Sequence, residues 1–217
     1  MKKAILILTA IIFCLQITGW SQKARVGVTG GLSISNMRGE VGGVDQKKNS
    51  RTGITFGMLV DAPIQDHITF QPGLHYIQKG KEEEQPNGTQ KQTFATALRY
   101  AELQLNFLFN TSYAGEHKEN FFVGLGPAVS INLPSKFVTE TPSDKTESDI
   151  TFGNKNENFR GFDLGANILG GVRFSNGFFI SLNYTHGLRN ILPAGGSGSD
   201  KLRNYCMGIR IGLLVNN

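Results

Sequence analysis

The chain is poor in what marks most functional classes. It has 217 residues but two cysteines, Cys14 and Cys206, one tryptophan and four histidines. With Cys14 inside an apolar leader, one thiol remains, so no internal disulfide framework is expected. No stretch beyond Gln22 stays apolar long enough to cross a bilayer as a helix. Charge of one sign is not clustered either: 22 Lys and Arg are mixed with 17 Asp and Glu. That excludes the concentrated basic patch of a nucleic-acid binder. His67, His75, His117 and His186 show no metal-ligand spacing, and no Ser-His-acid set is selected by the sequence. Gly30-Gly31 and Gly124-x-Gly126 lie inside strand patterns rather than before a helix, so they are not phosphate loops. The run Lys81-Glu82-Glu83-Glu84 reads as solvated charge. No catalytic, cofactor or metal residue is assigned, and the expectation is a protein that is not an enzyme.

What is present begins with an export signal. Lys2 and Lys3 precede an apolar run from Ala4 to Ile17, and Gly19-Trp20-Ser21 places small residues at the −3 and −1 positions of a cleavage site. Residues 1–21 are expected to be a signal peptide and residues 22–217 a single domain.

The mature chain alternates with a period of two, the signature of strands with one apolar face. The fifth predicted strand sets Phe121, Val123, Leu125, Pro127, Val129, Ile131 and Leu133 against Phe122, Gly124, Gly126, Ala128, Ser130 and Asn132. The eighth sets Tyr205, Met207, Ile209, Ile211, Leu213 and Val215 against Cys206, Gly208, Arg210, Gly212 and Leu214. Six more segments follow the rule, near 25–36, 52–61, 67–78, 98–110, 161–174 and 178–186. Their second face is Gly, Ser, Thr, Asn and Gln rather than a dense charged surface, which suits a narrow polar interior. Lengths near 9–11 residues suit tilted membrane strands.

The connections alternate in length. Ala62 to Asp66, Thr111 to Asn120 and Ser175-Asn176-Gly177 are the shorter ones. Met37 to Arg51, Lys79 to Ala97, Pro134 to Arg160 and Gly187 to Asn204 are long and polar. Short turns on one side and long loops on the other are the asymmetry of outer-membrane barrels. The predicted fold is therefore all-β: a closed eight-stranded antiparallel up-and-down transmembrane β-barrel. Parity places Glu102, Asp163, Arg173 and Arg210 in the lumen, where they are expected to form a charge network. Tyr76, Tyr184 and Tyr205 at the long-loop rim, with Phe109, Phe121, Phe174 and Phe178 at the short-turn rim, are expected to form two aromatic girdles.

Five segments carry a family resemblance: VGVTGGLSISN, GLHYIQKG, LRYAELQLNFLF, FFVGLGPAVSINL and YTHGLRNI, in that order over nearly the whole mature chain. Together they resemble the PorT-family outer-membrane β-barrel domain. The resemblance implies an eight-stranded outer-membrane barrel, and one member of that family is linked to protein secretion and surface attachment of proteases. The end of the chain, Leu213-Leu214-Val215-Asn216-Asn217, departs from the terminal aromatic residue frequent in such barrels. The expected partners are outer-membrane lipid, the barrel-assembly machinery and an extracellular or secretion-system protein, with no nucleic acid and a monomeric barrel. The alternatives are a small-solute channel and a lipid-modifying membrane enzyme.

N-terminal sequencing of protein purified from membranes is expected to start at Gln22. Recovery of the chain with Met1 to Ser21 intact would contradict the export reading.

Overall fold

The computed structural model describes residues 24–41, 44–45, 50–87, 90–114, 118–142, 144–153, 157–193 and 200–215. The expected signal peptide and His117 lie outside them. Among the described residues there are ten strands: β1 (Arg25–Val41), β2 (Val44–Asp45), β3 (Arg51–Gln65), β4 (Ile68–Asn87), β5 (Gln90–Asn110), β6 (Asn120–Thr141), β7 (Asp144–Asp149), β8 (Phe162–Arg173), β9 (Phe178–Gly187) and β10 (Lys201–Val215). Eight of them pair around a ring, β1-β3-β4-β5-β6-β8-β9-β10, and β10 returns to β1 from Val26↔Val215 to Glu40↔Lys201. Every pairing in the ring is antiparallel between strands adjacent in it, so the barrel is up-and-down and closed, as the alternation predicts.

Closure follows from a simple demand. A barrel satisfies each strand's backbone donors and acceptors from both sides and leaves no edge. The side chains then sort by parity. In β10, Met207, Ile209, Ile211, Leu213 and Val215 are exposed on the outside, while Arg210 and Leu214 are buried within. In β6, Phe121, Val123 and Leu125 point out, and Phe122 and Ala128 point in. Beyond Tyr205 the outward positions of β10 become Arg203 and Lys201. The apolar belt therefore ends where the aromatic rim begins.

Two expectations about the long connections need correction. Lys79 to Ala97 and Pro134 to Arg160 are not irregular loops throughout. β4 and β5 stay paired from Gly80↔Ala97 to Asn87↔Gln90. β6 continues to Thr141 and takes β7 as a further partner. At 21 and 22 residues, β5 and β6 are about twice what a tilted crossing needs, so their upper halves project from the barrel. There β4, β5, β6 and β7 make a four-stranded sheet. Its outer face carries cross-strand ion pairs, Lys91–Glu84 at 3.1 Å and Lys136–Glu147 at 2.6 Å, with Lys145 3.3 Å from Glu147. Hydrogen bonds from Lys136 and Lys145 hold the Glu147 carboxyl below its usual range. The pattern stopped looking like a strand because the apolar period ended at the membrane, whereas backbone pairing continued.

At the other end the turns are tight. Asp66 and His67 alone join β3 to β4. Between β8 and β9, Gly177 donates to the Phe174 carbonyl at 3.0 Å and adopts φ 84°. Asn176 has no positive φ, so the turn is the three-residue type with glycine in the left-handed position. A Cβ on Gly177 would also lie 2.5 Å from the Leu214 carbonyl oxygen, so glycine is required twice. Inside the barrel, Gly212 leaves the space taken by the Phe179 ring, 2.3 Å from where a Cβ would stand.

Ile209 is half exposed near the middle of the belt. Ile209→Arg is expected to destabilise the barrel by about 2–4 kcal/mol, the scale for a cation on the lipid face. The measurement is the urea midpoint of protein folded in lipid vesicles, and an unchanged midpoint would contradict the outward assignment.

Candidate functional site

The lumen is built in layers. At the short-turn end Asp61, fully buried, accepts from Arg25 Nη2 at 2.8 Å, Arg173 Nη2 at 2.7 Å and Gln71 Nε2 at 3.1 Å. Arg25 and Asp61 are register partners on β1 and β3, and Arg173 reaches them from the end of β8. Asn120 Nδ2 donates to Asn110 Oδ1 at 2.9 Å, and Asn110 Nδ2 to Thr69 Oγ1 at 3.0 Å, completing this polar floor. Two residues further along the strands comes an apolar layer, Leu59, Leu108, Phe122, Leu169, Phe179 and Leu214.

Above it the lumen is polar again. Thr185 Oγ1 donates to Asn167 Oδ1 at 3.1 Å, and Asn167 Nδ2 to Asn106 Oδ1 at 2.9 Å. A relay climbs from Arg210: its Nη1 donates to Gln104 Oε1 at 3.0 Å, and Gln104 Nε2 to Glu102 Oε1 at 2.7 Å. The other Glu102 oxygen accepts from Lys79 Nζ at 2.5 Å and Ser130 Oγ at 2.7 Å. Asn204 Nδ2 donates to Asp163 Oδ2 at 2.8 Å and to the Tyr100 hydroxyl oxygen at 2.9 Å. Burying such charges without partners would be costly, and each has at least one strong hydrogen bond.

The structure thus places Glu102, Asp163, Arg173 and Arg210 inside, but it does not gather them into one network. Glu102 and Arg210 share the Gln104 relay, Asp163 sits with Asn204, and Arg173 belongs to the Asp61 cluster at the other end. Three partners were missed from the sequence: Arg25, Asp61 and Lys79. Their signal was parity. Lys79 lies on the face of His75 and Ile77, and all three are buried. A strand predicted to end at Gln78 leaves it out. Arg25 and Asp61 stand at predicted strand ends, where a charge looks solvated.

Residues 150–153, 157–160 and 188–193 of the long connections return to the mouth. Ile150, Phe159 and Ile191 are buried with Met37, Ile77, Leu98, Tyr100, Leu202 and Cys206 in a second apolar cluster. The polar middle of the lumen is therefore bracketed by apolar layers. Between them, the space left among His75, Gln104, Asn106, Asn183 and Arg210 is about 10 Å³, room for one water molecule. Among the described residues no three His, Cys, Asp or Glu side chains converge as metal ligands. His75 is buried with no hydrogen-bond partner on either ring nitrogen, and no nucleophile is bonded to it.

On the outside, rings gather at two levels. Tyr184, His186 and Tyr205 form a run, with the Tyr184 hydroxyl 3.3 Å from His186 Nδ1 and Arg38 lying 5.1 Å over Tyr205. Tyr76 stacks on Phe56 at 4.8 Å. At the short-turn end Phe174 stacks on Phe178, and His67 stacks on Phe109 and Tyr113. Phe121 stands exposed at the same end.

The sequence profile of the outer membrane protein beta-barrel domain matches residues 20–192. The chain belongs to that family. The match covers most of the chain and stops before β10, the strand that closes this barrel onto β1. No curated protein matches the chain. Among solved structures it is similar to Ail, the attachment invasion locus protein of Yersinia pestis, at 10% identity and TM-score 0.42 over 89% of this chain and 100% of that one. It is also similar to Neisserial surface protein A, at 9% and 0.43 over 87% and 96%. A third is OprG from Pseudomonas aeruginosa, at 9% and 0.40 over 89% and 97%. As a member of the outer-membrane β-barrel family, the protein belongs in the cell outer membrane.

Asp61→Asn leaves two buried arginines without a carboxylate. It is expected to cost about 3–5 kcal/mol in unfolding free energy. The triple replacement Arg25→Met, Asp61→Leu, Arg173→Met is expected to recover most of it, since it removes every buried charge of the cluster. Asp61→Asn with wild-type stability would show that the cluster is hydrated rather than paired.

Proposed function

We propose that this outer-membrane barrel is a sealed anchor that presents its long connections outside the cell, with the β4–β7 sheet as the surface for a protein partner. It is exported by a cleaved signal peptide, inserted by the barrel-assembly machinery, and carries no catalytic site. The observation that carries this reading is the packed lumen: a polar floor around Asp61, an apolar layer above it, an apolar cluster at the mouth, and between the two apolar levels a gap of about 10 Å³ among His75, Gln104, Asn106, Asn183 and Arg210. A barrel of eight strands is only just wide enough for its own side chains. Its charged groups then serve to fill and hold the interior rather than to pass solutes. The resemblance of GLHYIQKG, LRYAELQLNFLF and YTHGLRNI to the PorT family supports a role in protein secretion or surface attachment.

Purified protein in planar bilayers is expected to show no stable unitary conductance, and reproducible single-channel steps from the wild type would overturn the sealed barrel in favour of a small-solute channel. The partner half has its own test. Deleting the gene is expected to change the set of surface and secreted proteins. A chain in which residues 81–96 are replaced by a short turn should fold and insert yet fail to restore that set. Full restoration by the trimmed chain would remove the sheet from the role.

A further inference from the structure

The lipid-facing belt is recessed between β6 and β8. Pro127 of β6 and Ala166 of β8 are register partners with outward parity, set among large side chains. They floor a notch of about 440 Å³ with almost wholly apolar walls. Leu125 and Ile168, also register partners, bound it toward the short-turn end, and Leu164 and Leu188 bound it toward the long connections. Ala166 pairs across β8–β9 with His186. The cluster of His186, Tyr184 and Tyr205 therefore flanks the notch, and such rings mark headgroup depth.

Just beyond lies an arginine. The backbone N–H groups of Leu188 and Arg189 both donate to the Leu164 carbonyl, at 2.8 and 3.3 Å, which fixes this corner of the chain against the upper wall of the notch. The Arg189 guanidinium lies 5.0 Å over the Phe162 ring, and among the described residues no carboxylate pairs with it. An apolar notch below the interface and a cation at its upper end are the two halves of a site for an anionic amphiphile.

We propose that the barrel holds one phosphate-bearing lipid here, its acyl chain seated over Pro127 and Ala166 and its phosphate on Arg189. The guanidinium offers forked donors to phosphate oxygens in a layer drier than bulk water. The acyl chain restores the dispersion contacts that bulky neighbours cannot supply to a recess. Charge selects this occupant over a second copy of the chain. The notch is also walled by projecting leucine and isoleucine side chains, whereas close packing between membrane surfaces favours extended small-residue faces.

The test is native mass spectrometry of the full chain in detergent, with dioleoyl phosphatidylglycerol and, separately, dioleoylglycerol, which has the same acyl chains and no phosphate. Wild-type protein is expected to retain one phosphatidylglycerol and about tenfold less dioleoylglycerol. Arg189→Gln, outside the sheet, is expected to lower phosphatidylglycerol retention to the dioleoylglycerol level. Ala166→Leu, filling the notch, is expected to do the same while still showing the heat-dependent gel shift of a folded barrel. Leu32→Phe, on the lipid face of β1, is expected to leave retention unchanged. Equal retention of the two lipids, loss in one of the two site variants alone, full displacement by inorganic phosphate, or a mass of two chains in place of chain plus lipid would each overturn the site.

Discussion

Hydrocarbon offers no hydrogen bonds to a backbone, and that constraint orders everything else in this molecule. Once the chain crosses the membrane as strands, each strand needs a partner on both sides, so the sheet closes, β10 against β1. Closure at eight strands sets the bore. The bore sets which residues can face inward: small ones such as Gly212 beside large ones such as Phe179. The distribution of polarity is then inverted relative to a water-soluble protein, with apolar side chains outside and asparagines, glutamines and ion pairs within.

The interior is packed as alternating discs. A polar floor around Asp61, an apolar layer, a hydrogen-bonded middle and an apolar mouth follow one another along the axis. Charges lie apart and are answered locally. Asp61 serves two arginines at one end, and Glu102 serves Lys79, Gln104 and Ser130 nearer the other. The loops contribute to this order, because Ile150, Phe159 and Ile191 complete the mouth cluster.

Much of the barrel was legible because parity is a local property. In β6 and β10, each residue's neighbours along the chain reveal its face, and the eight transmembrane segments fall where the alternation runs. What stayed hidden depends on relations across the ring. Arg173 meets Asp61 through the stagger of β8 against β3, which no single strand encodes. The Gln104 relay from Arg210 to Glu102 joins β10 to β5 across the lumen. The projecting sheet was hidden for another reason. Outside the lipid, strands need no apolar face, so Glu82, Glu84 and Lys91 look like loop residues although their backbones are paired. The β5–β6 register shifts there as well, with three residue steps from Leu133 to Lys136 on β6 against two from Ala97 to Arg99 on β5, which breaks the alternation of β6.

The pairing of the first barrel strand with the last also governs the order of assembly. β1 comes first in the sequence, yet one of its edges stays unsatisfied until Lys201–Val215 pairs with it. β3 covers one side of β1, and the other side is covered by β10 alone, the last strand of the ring. Completion is therefore all-or-none in time. Loss of the final strand would leave the other seven as an open ribbon whose two margins seek partners in neighbouring molecules.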